Sequence, residues 1–482
     1  MRFHLSYFNP DPNSNSNPRR MLRPAGCLIH RLFCLLLLLS TSRLPAQNVH
    51  HKPFETPSDK AVRIPAHLNT VPDQNDFKDS SSEYCYQRSI QGPDIIIFWS
   101  KEYGQNPMEN KDTSRRFDVH RALQECERFY RFYVDSLQMV KSAAGVASKY
   151  KIIFLVVGGA DNTAYGWGED SVGVLWTPAS RMSQYPYGVL AHELGHAFQY
   201  LASLDYGGRL DGPITEMAAQ YMLWQVYPDW LHFENYHLQG FLKQTNLAFE
   251  HPANMYHSPF VLEYWSEKYG RTFYSRLLHQ AIAAEDIVTV FKRLKNMDDQ
   301  AFATDMFEGV RRFITWDFAR IHQLALPYVG QQDTKMDSLA GGWYQPDKAS
   351  IPQNYGYNAI RLTLPAGTEG KVSVDFKGLV ASALDSATHE RVTAGWRYGF
   401  VALHKNGRTS YSKTAANSEG RLQYTVSQNT TDLWLVVMGA PGKDIPLRWQ
   451  SQKDTNTYFQ WPYRIRLSGC TVHRFTDASD QK

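Results

Sequence analysis

Two histidines one helical turn apart bracket a glutamate in His192-Glu193-Leu194-Gly195-His196, and a second glutamate, Glu216, follows downstream. Imidazoles at i and i+4 lie on one helical face, so both can reach a single ion. Glu193 stands beside the first of them, where its carboxylate faces a bound water without taking a coordination position. Two ring nitrogens and one carboxylate oxygen form the donor set of a catalytic zinc centre, which keeps its fourth position open. Zn2+ in such a set brings the pKa of water from about 16 down to about 7, so a nucleophile exists at neutral pH. The expected chemistry is hydrolysis assisted by one Zn2+, with His192 and His196 as ligands, Glu216 as the third, and Glu193 as the base.

The surrounding elements fit that reading. Residues 187–200 are apolar enough to form a buried helix, and burying two imidazoles and a carboxylate without a partner is costly. Pro186 suits the entry to that helix and Gly207-Gly208 its end. Asp211 is expected to cap a second helix with Pro213 in its first turn. That helix carries Glu216 to the first, and Ala218 and Ala219 are small enough for close packing. Asp205 and Asp211 are the rival oxygen ligands. A metzincin would place Gly and His three and six residues after His196; Gln199 and Ala202 stand there and exclude that class.

The stretch resembles the gluzincins, the thermolysin- and aminopeptidase-like zinc peptidases, in which H-E-x-x-H is followed by a glutamate at a spacing like that of Glu216. A second likeness begins at Met255-Tyr256-His257-Ser258-Pro259 and runs to Gly270. It is similar to the segment in which gluzincin aminopeptidases carry a tyrosine ahead of an apolar helix. The resemblance implies that Tyr256 donates a hydrogen bond to the oxyanion of the tetrahedral intermediate, with His257 and His251 as competing donors. It also implies that residues 173–177 form the sheet edge above the metal, where Gly173, Val174, Leu175 and Trp176 pair with an extended substrate. Ser258-Pro259 replaces the family's Lys-Gly pair, and no segment matches the family's Gly-x-Met-Glu-Asn, which captures a free amine. An endopeptidase or a specialised peptidase is therefore expected. The resemblance covers residues 95–325 and extends to secreted bacterial proteins built on such a domain.

The fold class expected is α+β: a gluzincin-like catalytic domain at 86–330, with a mixed-sheet half and a helical half, then an all-β sandwich at 355–475. Residues 94–100, 150–157 and 171–177 read as strands, and 117–140 as an amphipathic helix. Residues 47–85 read as a polar leader draped over the first domain, and 331–354 as a linker. Beyond it the hydrophobic period changes to two, and Asn406-Gly407 marks a hairpin. Trp224, Trp230, Phe233 and Tyr236 near the site, and Trp343, Trp396, Trp434, Trp449 and Trp461 in the sandwich, offer sugar-stacking platforms or ordinary core.

Residues 1–46 show the order of a signal peptide: arginines, the run from Leu32 to Leu39, then Leu44-Pro45-Ala46. The apolar run is too short to span a bilayer. This segment holds six arginines and one aspartate, so the stated charge of +4 falls to near −1 in the remainder. No basic run remains, which excludes a nucleic-acid partner. Three cysteines follow the segment, and only Cys85 and Cys126 suggest a pair. A secreted zinc peptidase acting on extracellular protein, peptide or glycoprotein is the expectation. The alternative is a glycan- or glycoprotein-binding surface protein with a structural or silent zinc site, its sandwich holding carbohydrate.

Overall fold

The structure is a computed structural model and describes residues 60–160, 162–282, 285–365, 370–385, 388–446 and 458–473. The expected signal peptide, and Trp449 of the sandwich, lie outside the described residues.

A five-stranded sheet opens the fold, with β1 (Ser89–Gln91), β2 (Ile95–Trp99), β3 (Ile152–Val157), β4 (Tyr165–Glu169) and β5 (Val172–Pro178). Its order is β1-β2-β3-β5-β4. The three inner strands are parallel, and β1 and β4 close the edges antiparallel. Inner strands covered on both faces need apolar residues throughout, which is why Ile95–Trp99 and Ile152–Val157 are buried along their length. One face takes Val62, Ile64, Leu68, Val71 and Phe77 from the segment expected as a leader. The other face carries α1 (Val119–Arg131) and α2 (Gly188–Tyr206). Beyond α1 the chain continues through a wide π-helical turn, Phe132–Ser136, so the expected helix to residue 140 is shorter and distorted at its end.

Helices α3 (Ile214–Val226), α4 (Trp230–Phe233), α5 (Asn235–Leu242), α6 (Phe260–Tyr269), α7 (Phe273–Gln280), α8 (Ile287–Lys295), α9 (Asp299–Phe313) and α10 (His322–Ala325) form the second half. Trp224, Trp230, Trp265 and Trp316 are consumed in its core.

The C-terminal part is strand-rich, giving the α+β class. Residues 331–354, expected as a linker, instead contain β6 (Met336–Ser338) and β7 (Trp343–Pro346). Then come β8 (Tyr357–Thr363), β9 (Gly370–Gly378), β10 (Ser382–Leu384), β11 (Arg391–Thr393), β12 (Trp396–His404), β13 (Thr409–Tyr411), β14 (Glu419–Val426), β15 (Thr430–Gly439), β16 (Tyr463–Ser468) and β17 (Thr471–Val472). Two five-stranded sheets, β13-β12-β15-β8-β17 and β14-β9-β16-β7-β6, enclose a core that includes Val374, Phe376, Phe400, Leu435 and Ile465. In β15, Leu433, Leu435 and Val437 face that core. Trp434, Val436 and Met438 face the other way and join the core of the helical half. Alternation thus puts both faces of one strand to use.

Cys85, Cys126 and Cys470 are buried free thiols, so no Cys85–Cys126 bridge forms. No helix among the described residues is long and apolar enough to cross a membrane.

Candidate metal centre

Helix α2 presents His192 and His196 from consecutive turns, and α3 crosses it with Glu216 in its own first turn. The two helices are in close contact at Gly195, where a Cβ would meet the Ala219 Cα at 3.4 Å, an ordinary van der Waals distance. His192 Nε2, His196 Nε2 and Glu216 Oε2 are each 3.1 Å from the other two. A tetrahedral ion with bonds of about 2.0–2.1 Å wants donor atoms about 3.3 Å apart, so this triangle fits the group. The residues are within 7–8 % of full burial for the histidines, and Glu193 is 6 % exposed. Among the described residues, His192, Glu193 and His196 bring ligand atoms within 4.8 Å of one another.

Electrostatics follow from that packing. Burial would lower His196, but the Glu216 carboxylate outweighs it and lifts the imidazole to about 9 in the metal-free chain. Burial would raise Glu216, and the two imidazoles instead hold it well below the usual carboxylate range. Glu193 is raised, first by burial, with Glu216 adding to it and the imidazoles opposing.

The rival ligands are occupied elsewhere. Asp205 accepts from the Lys141 and Val146 N–H groups at 2.9 and 2.7 Å, anchoring the loop before β3. Asp211 pairs with Arg209 at 2.8 Å on the surface and does not cap α3, whose cap is Pro213. Tyr256 lies at the centre, its ring 6.0 Å from that of His192. His251 Nδ1 accepts from the Ala253 N–H at 3.1 Å, and its ring packs on Tyr458.

One assignment requires correction. Gly173, Val174, Leu175 and Trp176 lie on β5, which is paired with β3 on one side and β4 on the other. Its backbone groups are spent in the ladder, so β4 is the edge. Its glycines alternate toward α2: a Cβ on Gly166 would fall 1.9 Å from the Glu193 carbonyl oxygen, and one on Gly168 would strike Tyr200. Tyr165 of β4 rests against Trp176, ring centroids 4.5 Å apart.

Several supporting residues were not singled out from sequence. Gln199 receives the His196 Nδ1–H at 3.4 Å and donates to the Thr215 carbonyl at 2.9 Å, joining the second ligand to the turn that carries the third. Its place one turn beyond His196 was the available signal. Gln220, one turn beyond Glu216, contacts His237 Nε2 at 2.9 Å, and His237 Nδ1 meets His257 Nδ1 at 2.8 Å. This chain ends beside Tyr256. Of the aromatics expected near the site, Trp224 and Trp230 are fully buried, whereas Tyr236 is exposed. Trp396, Trp434 and Trp461 are likewise core, while Trp343 is partly exposed beneath Arg464 and Arg466.

A family model described as "Family of unknown function (DUF6055)" matches residues 55–474. The chain belongs to this family. The matched span of this DUF6055 chain takes in the triad, Tyr256 and the whole strand-rich part. No curated protein matches it. Among solved structures, it is similar to the mitogen from Yersinia pseudotuberculosis at 11 % identity and a TM-score of 0.17, over 30 % of this chain and 93 % of that one.

Proposed function

We propose that the chain is an exported zinc-dependent peptidase of gluzincin type, an endopeptidase acting on extracellular protein or glycoprotein. The observation that carries this reading is the triangle of His192, His196 and Glu216 donor atoms with the Glu193 carboxyl beside it. Two imidazoles and one carboxylate leave a side open, as a catalytic site requires and a structural site does not. When bound, Zn2+ supplies a Lewis acid that acidifies water and polarises a carbonyl.

The chain's own groups do the rest. Glu193 takes a proton from the attacking water on a carboxylate oxygen and delivers it to the departing amine. Burial raises its pKa above the usual carboxylate value. Tyr256 donates a hydrogen bond from its hydroxyl to the oxygen that gains charge. The exposed edge of β4 offers backbone groups to an extended substrate. Tyr165, resting on Trp176, forms an aromatic rim at the start of that strand.

Glu193→Ala tests the assignment. With casein as substrate and elemental mass spectrometry for metal, the variant should hold zinc like the parent and lose hydrolysis by a factor of about 10² or more. Undiminished cleavage, or loss of the metal instead, would remove Glu193 from its role.

A further inference from the structure

One sheet of the sandwich is backed by the helical half, through Trp434, Val436 and Met438 of β15. The outward face of the other sheet, β14-β9-β16-β7-β6, is therefore turned away from the helices. Alternation decides what it presents: Val372, Val374 and Phe376 of β9 fill the sandwich core, while Ser373, Asp375 and Lys377 point the other way.

Register lines up Arg421, Asp375, Arg466 and Trp343 in one row across four strands of that face. Strands lie about 4.8 Å apart, so the backbones of Arg421 and Arg466 are about 10 Å from each other, with Asp375 between them. Asp375 serves both. Its Oδ2 accepts from Arg466 Nε and Nη2 at 3.2 and 3.1 Å, and its Oδ1 lies 3.7 Å from Arg421 Nε. In the next row Lys377 is paired with Glu419 at 3.3 Å.

Arg464, opposite Lys377 on β16, is left over: its buried Nε makes no hydrogen bond to any described residue. Its guanidinium lies over Trp343 instead, Cζ 4.7 Å from a ring centroid that Arg466 shares at 5.1 Å. A guanidinium held against an indole has little freedom left to lose on binding, and its N–H edge fits a two-oxygen anion. Three guanidiniums around one carboxylate thus leave this face short of negative charge, although the chain beyond residue 46 is near −1 overall.

The rest of the face says what kind of anion-bearing partner fits. Gln423, Ser373 and Ser468 form a further row of amide and hydroxyl groups. No aliphatic side chain stands in these rows, so the face lacks the apolar centre of a protein interface and the apolar insert of a membrane-binding surface. Polar groups around spaced cations suit a chain of hydroxylated, anion-bearing units. We propose that this face binds an acidic polysaccharide, with Arg464 and Arg466 taking a carboxylate or sulfate group over Trp343 and Arg421 taking a neighbouring one. Trp343 then acts by carrying the arginines, not by stacking on a sugar.

Affinity electrophoresis of the full chain tests this, in native gels containing heparin, hyaluronan or neutral dextran. Retardation by heparin alone supports the site with sulfate as its anion; retardation by hyaluronan as well supports it with carboxylate. Dextran should have no effect. Arg464→Gln should raise the apparent Kd about tenfold. Trp343→Leu should raise it about threefold through the lost support. Arg421→Gln, at a side chain 53 % exposed, should raise it about threefold and serves if the other two fail to fold. Glu193→Ala should bind as the parent does, which separates this face from the peptidase reading. A parent chain retarded by neither acidic polymer would overturn the proposal. So would variants retarded like the parent, equal retardation by a DNA duplex, or co-sedimentation with phosphatidylserine vesicles in place of polysaccharide binding.

Discussion

At the scale of the residue, His192 and His196 share a face because imidazoles at i and i+4 do so in any helix, and a second helix brings Glu216 within 3.1 Å of both. His251 is an oxyanion donor by type, and its Nδ1 accepts from the Ala253 N–H, which leaves the ring proton of the neutral imidazole on Nε2. Burial depresses His251 to about 4, from an ordinary value near 6.5. A depressed base favours the neutral form in the folded state, so its contribution is fully present above pH 6.5 and is lost as the pH falls toward 4. His251→Asn keeps a capping acceptor and removes the titration. Its Tm should therefore fall less steeply than the parent's between pH 6.5 and 4; identical slopes would show that His251 does not drive the acid limb.

At the scale of the element, the inner strands and α2 were readable from unbroken apolar runs. The β4 edge was not, because Tyr165-Gly166-Trp167-Gly168-Glu169 has the glycine content of a turn. Those glycines answer a contact that local sequence does not encode, the passage of β4 across α2 at Glu193 and Tyr200. The strands at 336–346 were hidden for a similar reason: both are short and partly exposed, and β7, which carries the edge strand β6, pairs with β16 far along the chain. Gly166→Ala must push β4 away from the Glu193 carbonyl. It should destabilise the chain by about 1–3 kcal/mol in urea unfolding, the range for overpacking. A midpoint equal to the parent's would mean that β4 does not lie against α2 as described.

At the scale of the molecule, the strand-rich part is more than an appended module. Val401, Trp434, Val436 and Met438 share a core with the helices. Polar ties cross the same junction, with Arg397 reaching Gln300 and Thr304, Tyr411 donating to Asp317, and Arg311 donating to the Ser412 carbonyl. A period of two announced the sandwich, yet could not say that one of its sheets would be covered on both faces. Coupling of this kind predicts a single heat-unfolding transition, coincident by far- and near-ultraviolet circular dichroism. Two resolved transitions would show that the halves are energetically separate.

All three scales converge on whether the triangle holds an ion. Elemental mass spectrometry of the purified chain, after reconstitution at neutral pH, measures this directly. About one zinc per chain is expected, lost in His192→Ala, His196→Ala and Glu216→Ala alike. A chain that takes up no zinc, or that keeps it when these ligands are removed, would contradict it.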